Sequence, residues 1–315
     1  MMNIPQELGR VRRAAHPTQG LPSDNNHDPS NILFYNGKYY LWYTQHVHTQ
    51  PYGHYTGCKI MCVTSADGEH WDEPFDALLP GEPGSWDAGG VLTANVVFAE
   101  GKYYMWYSGV GEDYSDEAPL PRSCSWAVAD TPDGPFLRKS GGPAFGPGAP
   151  GEWDDFGVDD ITALFWNGEW RIYYKGSNSR EHDADMTQLG FARAPSIEGP
   201  YLRDPHSPVI RGHAFSIWPY KGGLLLLSGL KHKAHEGYIY RGDWHDPAGH
   251  QYLYYSEDGI CFEPCCEFEN RASGVFVPQG TAADDIASMW GVAVNTRAGH
   301  FERYIERFDF EVGGE

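Results

Sequence analysis

Apolar and polar positions repeat along this chain. An apolar stretch runs into a turn with Asn or Glu ahead of Gly and returns as an aromatic-rich stretch. This happens in ILFYNGKYYLWYT (Ile32 to Thr44), VVFAEGKYYMWYS (Val96 to Ser108) and ALFWNGEWRIYYK (Ala163 to Lys175). SIWPYKGGLLLLSG (Ser216 to Gly229) is a weaker fourth copy. Two half-buried strands joined by a two-residue turn, with glycine supplying a positive φ, make a β-hairpin. The turn glycines Gly37, Gly101, Gly168 and Gly222 follow one another at steps of 64, 67 and 54 residues.

A second element follows each hairpin. It reads SADGEHW (Ser65 to Trp71) after the first and SEDGICF (Ser256 to Phe262) after the fourth. Asp133-Gly134-Pro135-Phe136 and Glu198-Gly199-Pro200-Tyr201 follow the second and third. Each is a turn and then an aromatic able to cover a sheet edge. Trp86-Asp87 and Trp153-Asp154 recur at the same step of 67. Hairpin plus turn-and-aromatic is a four-stranded unit, and such units stack radially, each covering its neighbours' faces. Dividing 315 residues by five gives 63, which matches the step. The fifth unit falls in MWGVAVNTRAGHFERYIERFDFE, completed by a strand from near the N-terminus. No long window has a helical period. The expected fold is therefore all-β, a five-bladed β-propeller over residues 24–315 behind an N-terminal extension, residues 1–23. A β-sandwich of similar strand density would lack the even repeat.

Composition narrows the setting. The 38 glycines and 23 prolines are scattered, which excludes a collagen-like or low-complexity chain. Hydrophobic residues at 41%, with 20 tyrosines and 11 tryptophans, exclude disorder. No apolar run approaches the roughly 18 residues of a membrane span. A net charge of −20 argues against nucleic acid or an anionic membrane as partner. Cys58, Cys62, Cys124, Cys261, Cys265 and Cys266 show no paired zinc spacing, and adjacent Cys265 and Cys266 suit a disulfide framework poorly. They read as thiols in a reducing compartment. MMNIPQELGRVRRAAHP lacks the apolar stretch of a secretory leader, so the expectation is a cytoplasmic protein, periplasmic if a leader was trimmed.

In a propeller, residues just ahead of the innermost strands converge on one mouth of the axial channel. Those residues are Asn26-His27-Asp28-Pro29-Ser30, Leu92-Thr93-Ala94-Asn95, Val158-Asp159-Asp160-Ile161 and Arg211-Gly212-His213-Ala214. Carboxylates from the first and third units and a histidine from the fourth would share one pit. Such a set suits glycoside hydrolysis, in which one group activates water and another protonates the leaving oxygen. Asp159 and Asp160 are adjacent, so in an extended chain only one can face the axis, and Asp160 is the one expected there. Trp42, Trp218 and Trp290 could stack on sugar rings or fill the space between blades, with Trp218 the best candidate for stacking. His46, His48 and His54 read as a polar loop at the cleft rim more readily than as a metal pair. The polar insertion from Lys231 to His250 reads as a lid or subsite wall.

The first-unit motif with GKYYLWYT resembles five-bladed glycosidases in general, including glycoside hydrolase families 43 and 32. Further stretches resemble family 117, the α-1,3-(3,6-anhydro-L-galactosidases) or neoagarobiose hydrolases. These are Trp86-Asp87 leading to Val91-Leu92-Thr93-Ala94-Asn95, Gly212-His213 followed by Trp218-Pro219-Tyr220-Lys221-Gly222-Gly223, Ser256 to Phe262, and Ile305-Glu306-Arg307-Phe308-Asp309. The resemblance covers roughly residues 24 to 310, and WPYKGG is its most specific part.

It implies an inverting reaction. Asp28 would be the general base, Asp160 would orient substrate and tune a neighbouring pKa, and His213 would be the general acid, protonated with modest help from a nearby carboxylate. Asn26, His27, Thr93, Asn95, Asp159 and Trp218 would contact substrate. The partner would be a short oligosaccharide ending in 3,6-anhydro-L-galactose, cleaved from its end. The sequence itself requires no cofactor, although the family is associated with a divalent cation near the axis. Oligomeric state is left open, because the family's N-terminal dimer-forming helical segment is mostly missing here. The chain departs from the family at Thr93-Ala94-Asn95, where Thr-Pro-Asn is expected, and at Asp159-Asp160-Ile161, where His-Asp-Pro is expected. The rivals are a family-43-like arabinofuranosidase or xylosidase and a sugar-binding propeller without turnover.

Overall fold

The computed structural model describes residues 2–23, 26–46, 55–114, 121–178, 187–229, 251–269, 272–296 and 303–314. Its strands form five four-stranded antiparallel blades around an axis. Blade I comprises Ile32–Tyr35, Lys38–Gln45, Lys59–Ser65 and Phe75–Leu78. Blade II comprises Gly90–Ala99, Lys102–Val110, Ser123–Ala129 and Leu137–Arg138. Blade III comprises Gly157–Trp166, Glu169–Ser177, Gln188–Ala194 and Leu202–Arg203, and blade IV His213–Tyr220, Gly223–Gly229, Tyr252–Ser256 and Glu263–Glu267. Blade V comprises Ser273–Phe276, Trp290–Thr296 and Arg303–Val312, with Val11–His16 as its outer strand. The all-β propeller read from the repeat is the fold observed.

The hairpin turns form as their residues dictate. Asn36-Gly37, Glu100-Gly101, Asn167-Gly168 and Lys221-Gly222 all have positive φ at both positions, the two-residue turn whose twist matches its strands. Blade V differs. Phe276 and Trp290 are joined through two 3-10 turns, Gly280–Asp284 and Ile286–Ser288, so its inner strand carries no hairpin signature in the sequence.

The ring closes at the N-terminus. Val11 to His16 pair antiparallel with Val312 to Arg307, so residues within the N-terminal segment 1–23 supply the last strand of the last blade. A single parallel pair, Phe276 with Ile32, joins blades V and I at the hub. Aromatic clusters fill the space between blades: Trp42, Tyr107 and Phe136 lie between I and II, and Trp106, Phe145 and Tyr174 between II and III. Burying each such ring contributes about 1.5–3 kcal/mol.

The repeated Trp-Asp pair is a latch. Trp86 stacks on Tyr107 and Trp153 on Tyr174, at 5.7 and 5.5 Å between ring centroids. Asp87 accepts from Tyr107 Oη at 3.0 Å and pairs with Arg138 Nε at 2.9 Å. Asp154 does the same with Tyr174 at 3.0 Å and Arg203 at 2.8 Å. Each latch ties the turn ahead of a blade to that blade's second and fourth strands.

Candidate active site

One residue per blade enters the inner strand with left-handed backbone: Asp28, Thr93, Asp160, Ala214 and Ala272, at φ of 49, 53, 50, 54 and 37°. The strand register shifts at this point between Leu92 and Asn95, Asp159 and Thr162, and His213 and Ser216. Non-glycine residues avoid this conformation unless their surroundings hold them in it. All five line one axial cavity of about 360 Å³, walled further along by Leu33, Val97, Leu164 and Ile217. Asp28 and Asp160 therefore reach the pit from blades I and III, as the sequence expected.

The two carboxyls have opposite electrostatics. Burial works against ionisation of Asp28, but the His27 imidazole, hydrogen bonded to it through Nδ1, overcomes this with help from Lys175. Its pKa is held down at about 2. Burial also raises Asp160; Lys175 opposes the rise, while Asp159 and Asp28 add to it, leaving its pKa at about 7. Asp159 points away from the cavity and is 4% exposed. It is bound by Arg122, by Lys175 Nζ at 3.3 Å and by Thr93 Oγ1 at 3.1 Å. Those two cations overcome its burial and keep it ionised. Asp28 and Asp160 thus face the pit, with Asp159, Arg122 and Lys175 behind it, and Asp160 is the carboxyl that retains a proton near neutrality.

His213 occupies the register position of Asp159, one residue ahead of Ala214, the blade IV member that faces the cavity. It is half-buried, with Nδ1 3.0 Å from Thr187 Oγ1. Burial, with Lys175 and Arg122 nearby, holds its pKa well below the usual value, more strongly than Asp28 and Asp159 raise it. This runs against the expectation that a neighbouring carboxylate would keep the ring protonated: burial, aided by the two cations, outweighs the two anions.

Of the residues expected to contact substrate, Thr93, Asn95 and Trp218 line the cavity, while Asn26, His27 and Asp159 stand behind it. Asn26 and His27 are 3% and 2% exposed, and His27 orients Asp28. Thr93 lines the cavity, but its hydroxyl is taken by Ser108 at 2.6 Å and Asp159 at 3.1 Å. Asn95 ties three blades together: it donates to Asn31 of blade I at 3.1 Å and accepts from the Ala163 amide of blade III at 3.0 Å. Trp218 lines the cavity but is 4% exposed and packs against Phe310 between blades IV and V, so most of its ring lies in the core. Trp42 and Trp290 are buried likewise. His46 is buried, its ring 4.0 Å from that of His27, while His48, His54 and the 231–250 insertion lie outside the described residues.

Sequence reasoning missed Arg122, Lys175 and Thr187. Lys175 left a signal, because the aligned hairpins end in Thr44, Ser108 and Lys175. Arg122 and Thr187 begin outer segments with no repeat to mark them. A divalent cation does not fit the described residues. No three His, Cys, Asp or Glu side chains among them converge, and the pit carboxyls are engaged by Arg122, Lys175 and His27.

Residues 20–133 match the family described as the glycosyl hydrolases family 32 N-terminal domain. A family 117 glycoside hydrolase produced by the marine bacterium Zobellia galactanivorans is similar in structure, with TM-score 0.78 and 23% identity over 98% of this chain and 92% of that one. A thermostable family-43 glycoside hydrolase follows at TM-score 0.62 and 15% identity, over 96% of each chain. The Bombyx mori GH32 beta-fructofuranosidase gives 0.61 and 13%, over 94% of this chain and 62% of that one. No curated protein sequence matches. By fold, then, the chain is a five-bladed propeller of the kind found in glycoside hydrolases, and it resembles family 117 in structure as it does in sequence motifs.

Proposed function

We propose that the protein is an exo-acting, inverting glycoside hydrolase that releases a terminal sugar from a short oligosaccharide. The resemblance to family 117 favours α-1,3-linked 3,6-anhydro-L-galactose as that sugar. The observation that carries the reading is the pairing of two cavity-lining carboxyls with opposed acidities, Asp28 ionised and Asp160 protonated near neutrality. Pairs pushed apart in this way divide the labour of base and acid. Asp28 removes the proton from the attacking water while Asp160 supplies one to the leaving oxygen, and the linkage breaks with inversion. His27 keeps Asp28 oriented, and Asp159 with Arg122 and Lys175 sets the field in which Asp160 holds its proton.

A second reading gives the acid role to His213. It is favoured by the family resemblance and by the Thr187 hydrogen bond that fixes the ring. Leaving-group dependence separates the two. Asp28→Asn lowers turnover by about 10²-fold or more on every substrate while sugar binding survives. The variant lacking the acid loses as much on the natural oligosaccharide, yet comes within roughly tenfold of the parent on an aryl glycoside whose leaving group needs no proton. Asp160→Asn behaves this way if Asp160 is the acid, and His213→Gln if His213 is. A panel of oligosaccharides ending in anhydro-galactose, galactose, arabinose or xylose identifies the sugar, and release from none of them returns the chain to a binding role.

A further inference from the structure

Seven residues past its turn glycine, the second strand of blades I, II and III carries Thr44, Ser108 and Lys175. The first two are hydroxyls that tie down Thr93: Thr44 Oγ1 accepts from its amide at 2.9 Å, and Ser108 meets its hydroxyl at 2.6 Å. In blade III the place is held by an ammonium, 7% exposed, with Nζ 2.6 Å from Asp160 and 3.3 Å from Asp159. Burying a lysine is costly unless it is paired, and a hydroxyl suffices at this position in two other blades. The lysine adds charge, delivered to a carboxyl that lines the cavity.

We propose that Lys175 is the positioning residue of the site: its ammonium fixes the Asp160 carboxyl at the pit wall and supplies the positive charge that a bound cation would otherwise bring. The other groups facing this corner are Asp28 with His27 from blade I, Arg122 and Cys124 from blade II, Asp159 beside Lys175 in blade III, and His213 from blade IV. Arg122 pairs with Asp159 and lies over the Tyr55 ring at 4.5 Å, while Lys175 is bonded to Asp160. The inference rests on the proposed function in treating the pit as a reaction centre.

Its test reads the carboxyl directly. In the full chain carrying ¹³C-carboxyl aspartate, the Asp160 resonance is identified by its loss in Asp160→Asn and titrated with pH. Lys175→Met moves its midpoint up by roughly 1–3 pH units, and Lys175→Arg returns it most of the way. An unmoved midpoint in Lys175→Met overturns the proposal. Should that variant not fold, Lys175→Gln, which keeps a hydrogen-bond donor without the charge, raises the midpoint likewise, and an unmoved midpoint there overturns it equally. A shift seen in a protein that cleaves no glycoside sinks the proposed function and leaves Lys175 its role. Turnover with an unmoved midpoint does the reverse.

Discussion

At the scale of single residues, the pit is a problem in charge. Asp28 is ionised because His27 holds it, and its contribution to stability is present above the ordinary carboxyl range and fades as pH falls towards about 2. Asp160 has the opposite sign. Its raised pKa stabilises the fold below the ordinary range, and that contribution is lost as pH climbs through about 7. Asp160→Asn, which cannot ionise, therefore gains on the parent by about 2–4 kcal/mol between pH 4 and pH 8.5. The difference in thermal midpoint across that range measures it, and a constant difference refutes the assignment. That Asp160 and not Asp159 faces the pit was legible in the sequence, although a left-handed residue at a register shift, not strand alternation, puts it there. The direction of the His213 shift was not, because it depends on how deeply the folded blades bury the ring and then on Lys175 and Arg122, which other strands bring in.

At the scale of elements, the Trp-Asp latch has consequences away from the pit. A Cβ on Gly176 would lie 2.5 Å from the Trp153 ring and 2.7 Å from Asp154 Cβ, and Gly109 meets Trp86 and Asp87 at the same distances. Gly176→Ala destabilises by roughly 2 kcal/mol or more through overpacking. Asp154→Ala costs about 3 kcal/mol, since Tyr174 Oη and Arg203 lose a buried partner. Urea unfolding measures both, and latch variants within 0.5 kcal/mol of the parent would contradict this account. The four hairpins could be read from sequence because their turns need Gly at one fixed place. The inner strand of blade V could not, since 3-10 turns replace its hairpin and leave Ser273–Phe276 with no marker of either kind.

At the scale of the whole molecule, stability depends on closing the ring. Leu8 and Val11 are buried, Tyr220 Oη donates to Glu7 at 2.7 Å, and Arg13 pairs with Glu306 at 2.7 Å. Removing residues 1–16 strips blade V of its outer strand and exposes the cluster it shares with blade IV, so the truncated chain melts at least 10 °C lower or fails to fold. The number of blades was legible because a repeat announces itself in arithmetic, whereas the way the ends meet involves residues about 300 positions apart. The left-handed entry points carry a different implication. Around one orifice sit five equivalent sockets, of which two hold acids, one a hydroxyl and two bare methyls. Chemistry here can be rewritten one socket at a time with the wheel untouched, and Ala214 and Ala272 are the blanks from which a new reactivity could be engineered.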